Sequence, residues 1–549
     1  MKFTGWSRGW WVGVVFRTIA EAAEPGALRV QLEAPSAVPC FDAAEFVLRV
    51  EEPTFRNPFT DVAITATFDA PKLAQPIVAQ GFADAADGTV FRVRFSPALP
   101  NTEYRYHIRF SAPGAMRVFD GVLRAEASSR PGPVIVAPRH PKHFVHAGSQ
   151  APFYHLGFTA YHLLDLSNDD AQITATLDYC VQHGFNKVRF LLSGYPRDSA
   201  RGKSGDVDYG VTAEAGRAWN YGARPGQLDT LPTWEGKDHA FDFTRFNVAF
   251  WQKADRAVRA MRERGIVANC IFTIEKQTLQ AEYGWLTENE YRLYRYAVAR
   301  LAAFDNVWWD LGNEINEVRD AAWGETMGAF VRLQDPYDRL LSAHGHAEFP
   351  YARSPWADFV IAQHYGNLDE LYAWAQRFHE VPKPFVNEEY GYENDVDRPG
   401  HGMNADWVRG SAWTLAMAGG YGTYGDHSGG AAWFYMGEPG HGKAPAQLKH
   451  LRTFFEGLPF QELEPKLQIA TQGYCLAQPG AIYVIYLPAG GVTEVNLFGA
   501  PPGKFQLAWF DPRTGATVDG GTVESRGRRK LGPAPIAGDI VAVLRRAKK

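Results

Sequence analysis

Val307-Trp308-Trp309-Asp310-Leu311-Gly312 is a short apolar run that stops at a polar pair, Asn313-Glu314. Pro384-Phe385-Val386-Asn387 does the same and stops at Glu388-Glu389-Tyr390-Gly391. Runs of this length, rich in branched and aromatic residues, read as strands buried on both faces. Six more fall on either side: Tyr154–Thr159, Lys187–Leu192, Ile266–Thr273, Leu340–His344, Phe359–His364 and Tyr421–Tyr424. Amphipathic helical patterns separate them, over Asp170–His183, Thr244–Arg264, Glu288–Ala303, Leu368–His379, Asp406–Ala418 and Ala446–Glu456. Strand–helix alternation implies a parallel sheet, and eight such units in about 300 residues fit a (β/α)8 TIM barrel. A doubly wound open sheet would carry a Gly-rich phosphate turn after its first strand, and none stands there.

The flanks have another texture. Phe46-Val47-Leu48-Arg49-Val50, Val62–Phe68, Phe91–Phe95 and Tyr104–Ile108 alternate or are β-rich, punctuated by Gly, Pro, Asn and Asp. Ala481–Leu487, Thr493–Leu497, Phe505–Phe510 and Ile540–Leu544 repeat the pattern near the other end. Both regions predict β-sandwiches. The expected division is therefore 27–130 for one all-β domain, 142–460 for the α/β barrel and 466–549 for a second all-β domain. Arg130–Pro141, rich in proline, reads as the linker between the first two.

The 549 residues carry a net charge of −5 without long single-sign runs, which argues against a protein that tracks nucleic-acid phosphates. No stretch approaches the ~20 apolar residues of a membrane span. Lys2 and Arg8 precede the apolar run Trp10–Phe16, and Ala20-Glu21-Ala22 resembles a cleavage site, but Arg17 interrupts the run. The expectation is a soluble chain, cytoplasmic or periplasmic, with the compartment left open. Cys40, Cys180, Cys270 and Cys475 lie far apart with no metal-ligand spacing, so buried free thiols are expected and no metal or cofactor is called for. The 16 Trp and 24 Tyr suit large cores, and equally suit stacking on the apolar faces of sugars.

In a barrel of this kind the reactive face is at the C-terminal ends of the strands. Two glutamates closing different strands at that face could supply the paired carboxyls of a retaining glycosidase, about 5 Å apart across the scissile bond. One would be protonated to assist the leaving group and the other ionised to attack the anomeric carbon. Neighbouring strand residues point to opposite faces, so only one of Glu388 and Glu389 should aim into such a site. A metal-dependent barrel hydrolase would need clustered ligands such as His-x-His on the first strand, where His155 stands alone.

These motifs resemble the clan A glycoside hydrolases, whose barrels carry Asn-Glu after the fourth strand and Glu-aromatic-Gly on the seventh. By that resemblance Glu314 is the acid/base and Glu389 the nucleophile. Gly184-Phe185-Asn186-Lys187-Val188-Arg189 resembles the clan's second-strand motif, which would set Arg189 beside Glu389 and favour its charged form. His364-Tyr365 resembles the sixth-strand His/Tyr, with the Tyr hydroxyl on the nucleophile. Asn313 would bond the sugar 2-OH.

A narrower resemblance covers nearly the whole chain. Asn57-Pro58-Phe59-Thr60-Asp61, Gly81-Phe82 and Arg92–Pro97 are similar to the sandwich that precedes bacterial barrels of the apiosidase-like group. Phe153–Ala160 and Gly420–Gly425 resemble its first and eighth strands. Tyr486-Leu487-Pro488 and Trp509–Gly515 resemble a C-terminal module that bears a collagen-binding label, from which no collagen function is taken.

The implied activity is cleavage of a plant or microbial oligo- or polysaccharide. The alternatives are a transglycosylase using the same residues and a non-catalytic carbohydrate-binding protein. Self-association is left open. The long segment Ser193–Asp242 shows no clear regular structure and is expected to be a substrate-lining lid, the alternative being a wrap packed on the barrel or an oligomer contact. Trp219 and Trp234 within it, and Trp433 beyond it, are candidate sugar-binding residues. Glu275, His344 and His346 also follow strands and either line subsites or serve the fold.

Overall fold

The structure is a computed structural model. It describes residues 16–20, 28–161, 163–164, 169–192, 233–237, 240–272, 284–317, 319–346, 348–393, 403–426 and 442–547. The chain divides into two compact units. The first comprises 1–130 with 295–305 and 334–337, and the second 131–294, 306–333 and 338–549.

The first unit holds two five-stranded sheets. Thr102–Ala112 shows why they form: burial alternates along it, so Tyr104, Tyr106, Ile108 and Phe110 face the core while Arg105, His107 and Arg109 face water. The second sheet supplies Leu32, Phe46, Leu48 and Phe91 to the same core.

The second unit is built on eight parallel strands: β1 (Gly157–Thr159), β2 (Lys187–Leu191), β3 (Val267–Ile271), β4 (Val307–Asp310), β5, β6 (Val360–Gln363), β7 (Phe385–Glu389) and β8 (Tyr421–Asp426). Strand β5 is in two pieces, Leu341–Ser342 against β4 and His344–His346 against β6, and through it the sheet closes on itself. The (β/α)8 barrel expected from the strand–helix alternation is thus present. Below it, Val134–Ala137 and His140–His146 pair as a hairpin where the proline content had suggested a plain linker. The hairpin has a packing task. Phe144 lies 5.0 Å from the ring of Trp308, 5.9 Å from Phe359 and 5.6 Å from Tyr421, filling the N-terminal end of the barrel.

One helix, Ala321–Gln334, was not legible in the sequence. Gly324 and Gly328 weaken its intrinsic preference by roughly 1 kcal/mol each. They are there for packing: a Cβ on Gly324 would meet the Tyr351 hydroxyl at 2.1 Å, and one on Gly328 the Trp356 ring at 2.1 Å. Within the long segment after β2, the described part forms an antiparallel hairpin, Trp234–Lys237 with Ala240–Phe246.

After the last barrel helix, Ala444–Glu456, the chain forms a six-stranded and a two-stranded sheet around Cys475, Ile485, Phe505, Trp509 and Leu544. This module packs on helix Ala405–Met417. Trp413 lies 5.6 Å from Tyr486, and Arg409 grips Asp539 through Nε at 2.8 Å and Nη2 at 2.7 Å. All four cysteines are buried free thiols. Among the described residues no helix is long and apolar enough to cross a membrane.

Candidate active site

Polar side chains on β2, β4, β7 and β8 point into the barrel, where a chain of apolar residues would be the cheaper filling. Lys187, Asp310, Glu388 and Arg189 are all completely buried. Lys187 donates to Glu388, and Thr423 donates to its other oxygen. The guanidinium Nε of Arg189 stands 3.6 Å from Glu388. Burial alone would raise the Glu388 carboxyl, but Lys187 and Arg189 outweigh it and hold it at about 2. Lys187 moves the other way, down to about 8, because burial outweighs its partner. Asp310 is pushed up to about 7 by burial. Its Oδ1 accepts from the backbone N–H of Gly312 at 3.1 Å and of His344 at 3.0 Å, fixing the turn that leads into Asn313-Glu314.

Above this layer lies the barrel mouth. Glu314 leaves β4 at φ +46°, a left-handed conformation that a non-glycine residue holds only when its surroundings impose it. Gln363, at the end of β6, donates its amide N–H to the Glu314 carboxyl. Glu389 ends β7. Its Oε1 lies 2.5 Å from the Tyr161 hydroxyl and 3.5 Å from Arg189 Nη1, and its Oε2 accepts from Tyr365 at 3.0 Å. Asn313 completes the ring: its Oδ1 accepts from Arg189 Nη2 at 2.7 Å and lies 2.7 Å from the same Tyr161 hydroxyl. His344 Nδ1 sits 2.9 Å from Arg189 Nη2 and touches Asn313. The Glu389 carboxyl is raised above its ordinary value by burial and by the charge of Glu314, against the pull of Arg189 and the two tyrosine hydroxyls. Gly391, just beyond, has φ +124°, and a Cβ there would meet the Trp407 ring at 2.3 Å, which accounts for the glycine of Glu389-Tyr390-Gly391.

The register explains how two adjacent glutamates both reach the barrel interior. Ala362 pairs with Asn387 but Gln363 pairs with Glu389, so Glu388 is an extra residue at a bulge. Strict alternation, which would have sent one carboxyl outward, is broken at that point.

Of the residues singled out in the sequence, the structure brings together Arg189, Asn313, Glu389 and Tyr365, with Glu314 electrostatically coupled to Glu389. His364 does not join them. Its ring stacks on Trp374 at 5.0 Å, and its carbonyl accepts from Asn387 at 3.2 Å. Trp234 is fully buried, edge-on to Phe243 at 5.1 Å, and presents no face to solvent. Trp219, Trp433 and Glu275 lie outside the described residues. His344 belongs to the site, whereas the backbone of His346 is clamped by Asn316, which accepts from its N–H at 2.7 Å. His155 is buried against Trp308, its pKa lowered to about 3 by burial. Tyr161 and Gln363 were not anticipated. Each is a polar residue at or just past a strand end, the one signal that could have found it. Among the described residues no group of three or more His, Cys, Asp or Glu is arranged to hold a metal ion.

Comparison with known proteins places this geometry. Residues 139–460 match the family model of the apiosidase-like catalytic domain, 37–113 match a domain of unknown function, and 459–544 match a family described as the candidate collagen-binding domain of a collagenase. A candidate glycoside hydrolase from Bacteroides vulgatus is similar in structure, with a TM-score of 0.77, 23% identity, and 93% of this chain and 100% of that one covered. A glycoside hydrolase family 5 protein from the same organism gives a TM-score of 0.58 at 17% identity, covering 76% of this chain and 94% of its own. No curated protein matches the sequence.

Proposed function

The chain belongs to the apiosidase-like family and is a glycosidase, and on that premise we propose that it hydrolyses its carbohydrate substrate with retention, Glu389 attacking and Glu314 acting as acid/base. The observation that carries the reading is the closed ring Glu389–Tyr161–Asn313–Arg189, which ties the carboxyl at the end of β7 to the turn that bears Glu314.

In the first step the ionised Glu389 forms a bond to the anomeric carbon while the glycosidic bond breaks, and the departing oxygen takes the proton of Glu314. In the second step Glu314, now ionised, takes a proton from water. The water oxygen attacks the anomeric carbon and releases Glu389. Tyr365 and Tyr161 give the Glu389 carboxylate hydrogen bonds that orient it for attack, and Arg189 favours its charged form. Asn313, fixed by Arg189, is placed to bond a sugar hydroxyl beside the reacting carbon. Since burial and Glu314 hold Glu389 above the ordinary carboxyl range, activity should rise with pH as Glu389 ionises, and that limb should lie above 4.5.

The test is stereochemical. A panel of aryl glycosides and oligosaccharides is incubated with the protein, and the first-formed product anomer is read by proton NMR before mutarotation. Retention of the substrate's configuration is expected. Inversion, or a carboxyl separation well above the ~5 Å of retaining enzymes in an experimental structure, would overturn the mechanism.

A further inference from the structure

Outside the ring of site residues, one large aromatic is held at the barrel mouth with a face to water. Trp285 is 47% exposed and stands just before helix Glu288–Leu301, in the connection that follows β3. An exposed indole costs hydration free energy, and here the fold spends further strain to fix it: Leu286 has φ +50°. Its N–H donates to Glu290 at 2.6 Å. Glu290 is fully buried and also accepts from Arg319 at 3.3 Å and from Trp323 Nε1 at 3.2 Å. The Arg319 guanidinium lies over two indole rings, 4.8 Å from the centroid of Trp285 and 5.6 Å from that of the buried Trp323. Trp323 and Arg319 are buried and Trp285 is not, so the contact runs from the core to the surface.

The stack is connected to the reacting groups. The backbone N–H of Arg319 donates to the carbonyl of Ile315, the residue after Glu314, at 2.8 Å. Around the barrel, β3 lies next to β4 and four strands from β7, so Trp285 follows the strand opposite the one that bears Glu389. β4 bears Glu314 and neighbours β3, so by strand order Trp285 belongs to the Glu314 side of the mouth and not to the Glu389 side. The acid/base meets the oxygen of the bond being cut, so whatever lies beyond Glu314 is the leaving group.

We propose that Trp285, backed by Arg319, is the stacking platform for the leaving-group sugar, a pyranose presenting its apolar C–H face. This rests on the hydrolase reading above. The electron-rich indole face suits such a ring, and the cation behind it fixes the plane without supplying a competing hydrogen-bond donor to the front.

The experiment compares two substrates that share a glycone, one with a sugar leaving group and one a glycosyl fluoride whose leaving group is a single atom. On the oligosaccharide, Trp285→Ala should lose about tenfold in kcat/KM, carried by KM, while its turnover of the fluoride stays within about twofold. Trp285→Tyr should recover most of the loss. An equal loss on both substrates would make Trp285 a structural partner of Arg319 only, and an unchanged rate on the oligosaccharide would remove it from the sugar path; either overturns the platform. Wild-type turnover of the fluoride tests the hydrolase reading separately.

Discussion

Glu388 and Glu389 are neighbours on one strand, both buried, and they titrate in opposite directions. Glu388 is held down at about 2 and Glu389 is raised. Burial pushes both up, so burial does not make the difference. What differs is the charge each one meets. Glu388 has hydrogen bonds from Lys187 and the Thr423 hydroxyl, and a second cation nearby in Arg189. Glu389 has a share of Arg189, two neutral tyrosine hydroxyls, and another carboxylate in Glu314. The barrel interior sets a cation against each oxygen of the Glu388 carboxylate, Lys187 on one and Arg189 on the other. The mouth leaves its charge partly unsatisfied, and a carboxylate in that condition has something to gain from a bond to carbon. Position on the strand separates the carboxyl paired inside the barrel from the one proposed to react.

Four substitutions press on that contrast. Glu389→Ala should cost about 10⁴-fold or more in turnover, with thermal unfolding near wild type, and azide should restore part of the rate on an activated aryl glycoside. A dead Glu388 variant beside a fully active Glu389 variant would reverse the assignment. Glu388→Gln should instead destabilise the protein by about 3–5 kcal/mol, since it strands Lys187 in the interior. The pH dependence has a definite sign: with a folded pKa of about 2 against an ordinary 4.5, Glu388 contributes stability that is fully present above 4.5 and is lost as pH falls toward 2. Denaturant titration across that window should be flatter in the variant, and an unchanged slope would break the pairing. Arg189→Met touches both carboxyls. It should lower kcat/KM by roughly 10²-fold and move the acidic limb of the pH–rate profile to higher pH, because the charge that favours ionised Glu389 is gone. A limb that stays in place would separate Arg189 from Glu389. The smallest effect belongs to His364→Ala, whose ring packs on Trp374: about 1 kcal/mol of stability and a rate within about twofold of wild type.

Strand ends were readable because a buried parallel strand is an unbroken apolar run, and the first polar residue past it is conspicuous. Asn313, Glu314 and Glu389 came from that signal together with the family resemblance, and Arg189, in the middle of β2, from the resemblance alone. Gln363 was missed because β6 was read one residue too long, ending at His364, whereas the irregular pairing with β7 puts Gln363 opposite Glu389. A bulge changes which side chain faces inward without changing any apolar pattern. Tyr161 was missed for another reason. It lies past the end of β1, in a turn whose course depends on contacts with Asn313 and Glu389, more than 150 residues away along the chain. The helix Ala321–Gln334 was hidden by the glycines that make room for Tyr351 and Trp356.

Helix Ala405–Met417 carries a consequence for anyone who cuts the gene. Of its thirteen residues eleven are buried, including Val408, Trp413, Leu415 and Met417 on several sides of the cylinder. A helix apolar on so much of its circumference needs cover both inside and out. The outer cover is the C-terminal module, through Tyr486, Phe510 and the Arg409–Asp539 grip. Ending the chain after 460 would leave Arg409 without its Asp539 partner and set a tryptophan-bearing face against water, so the barrel cannot be treated as an interchangeable cassette. Any shuffling of this architecture has to move barrel and trailing module together, or redesign the outer face of that one helix.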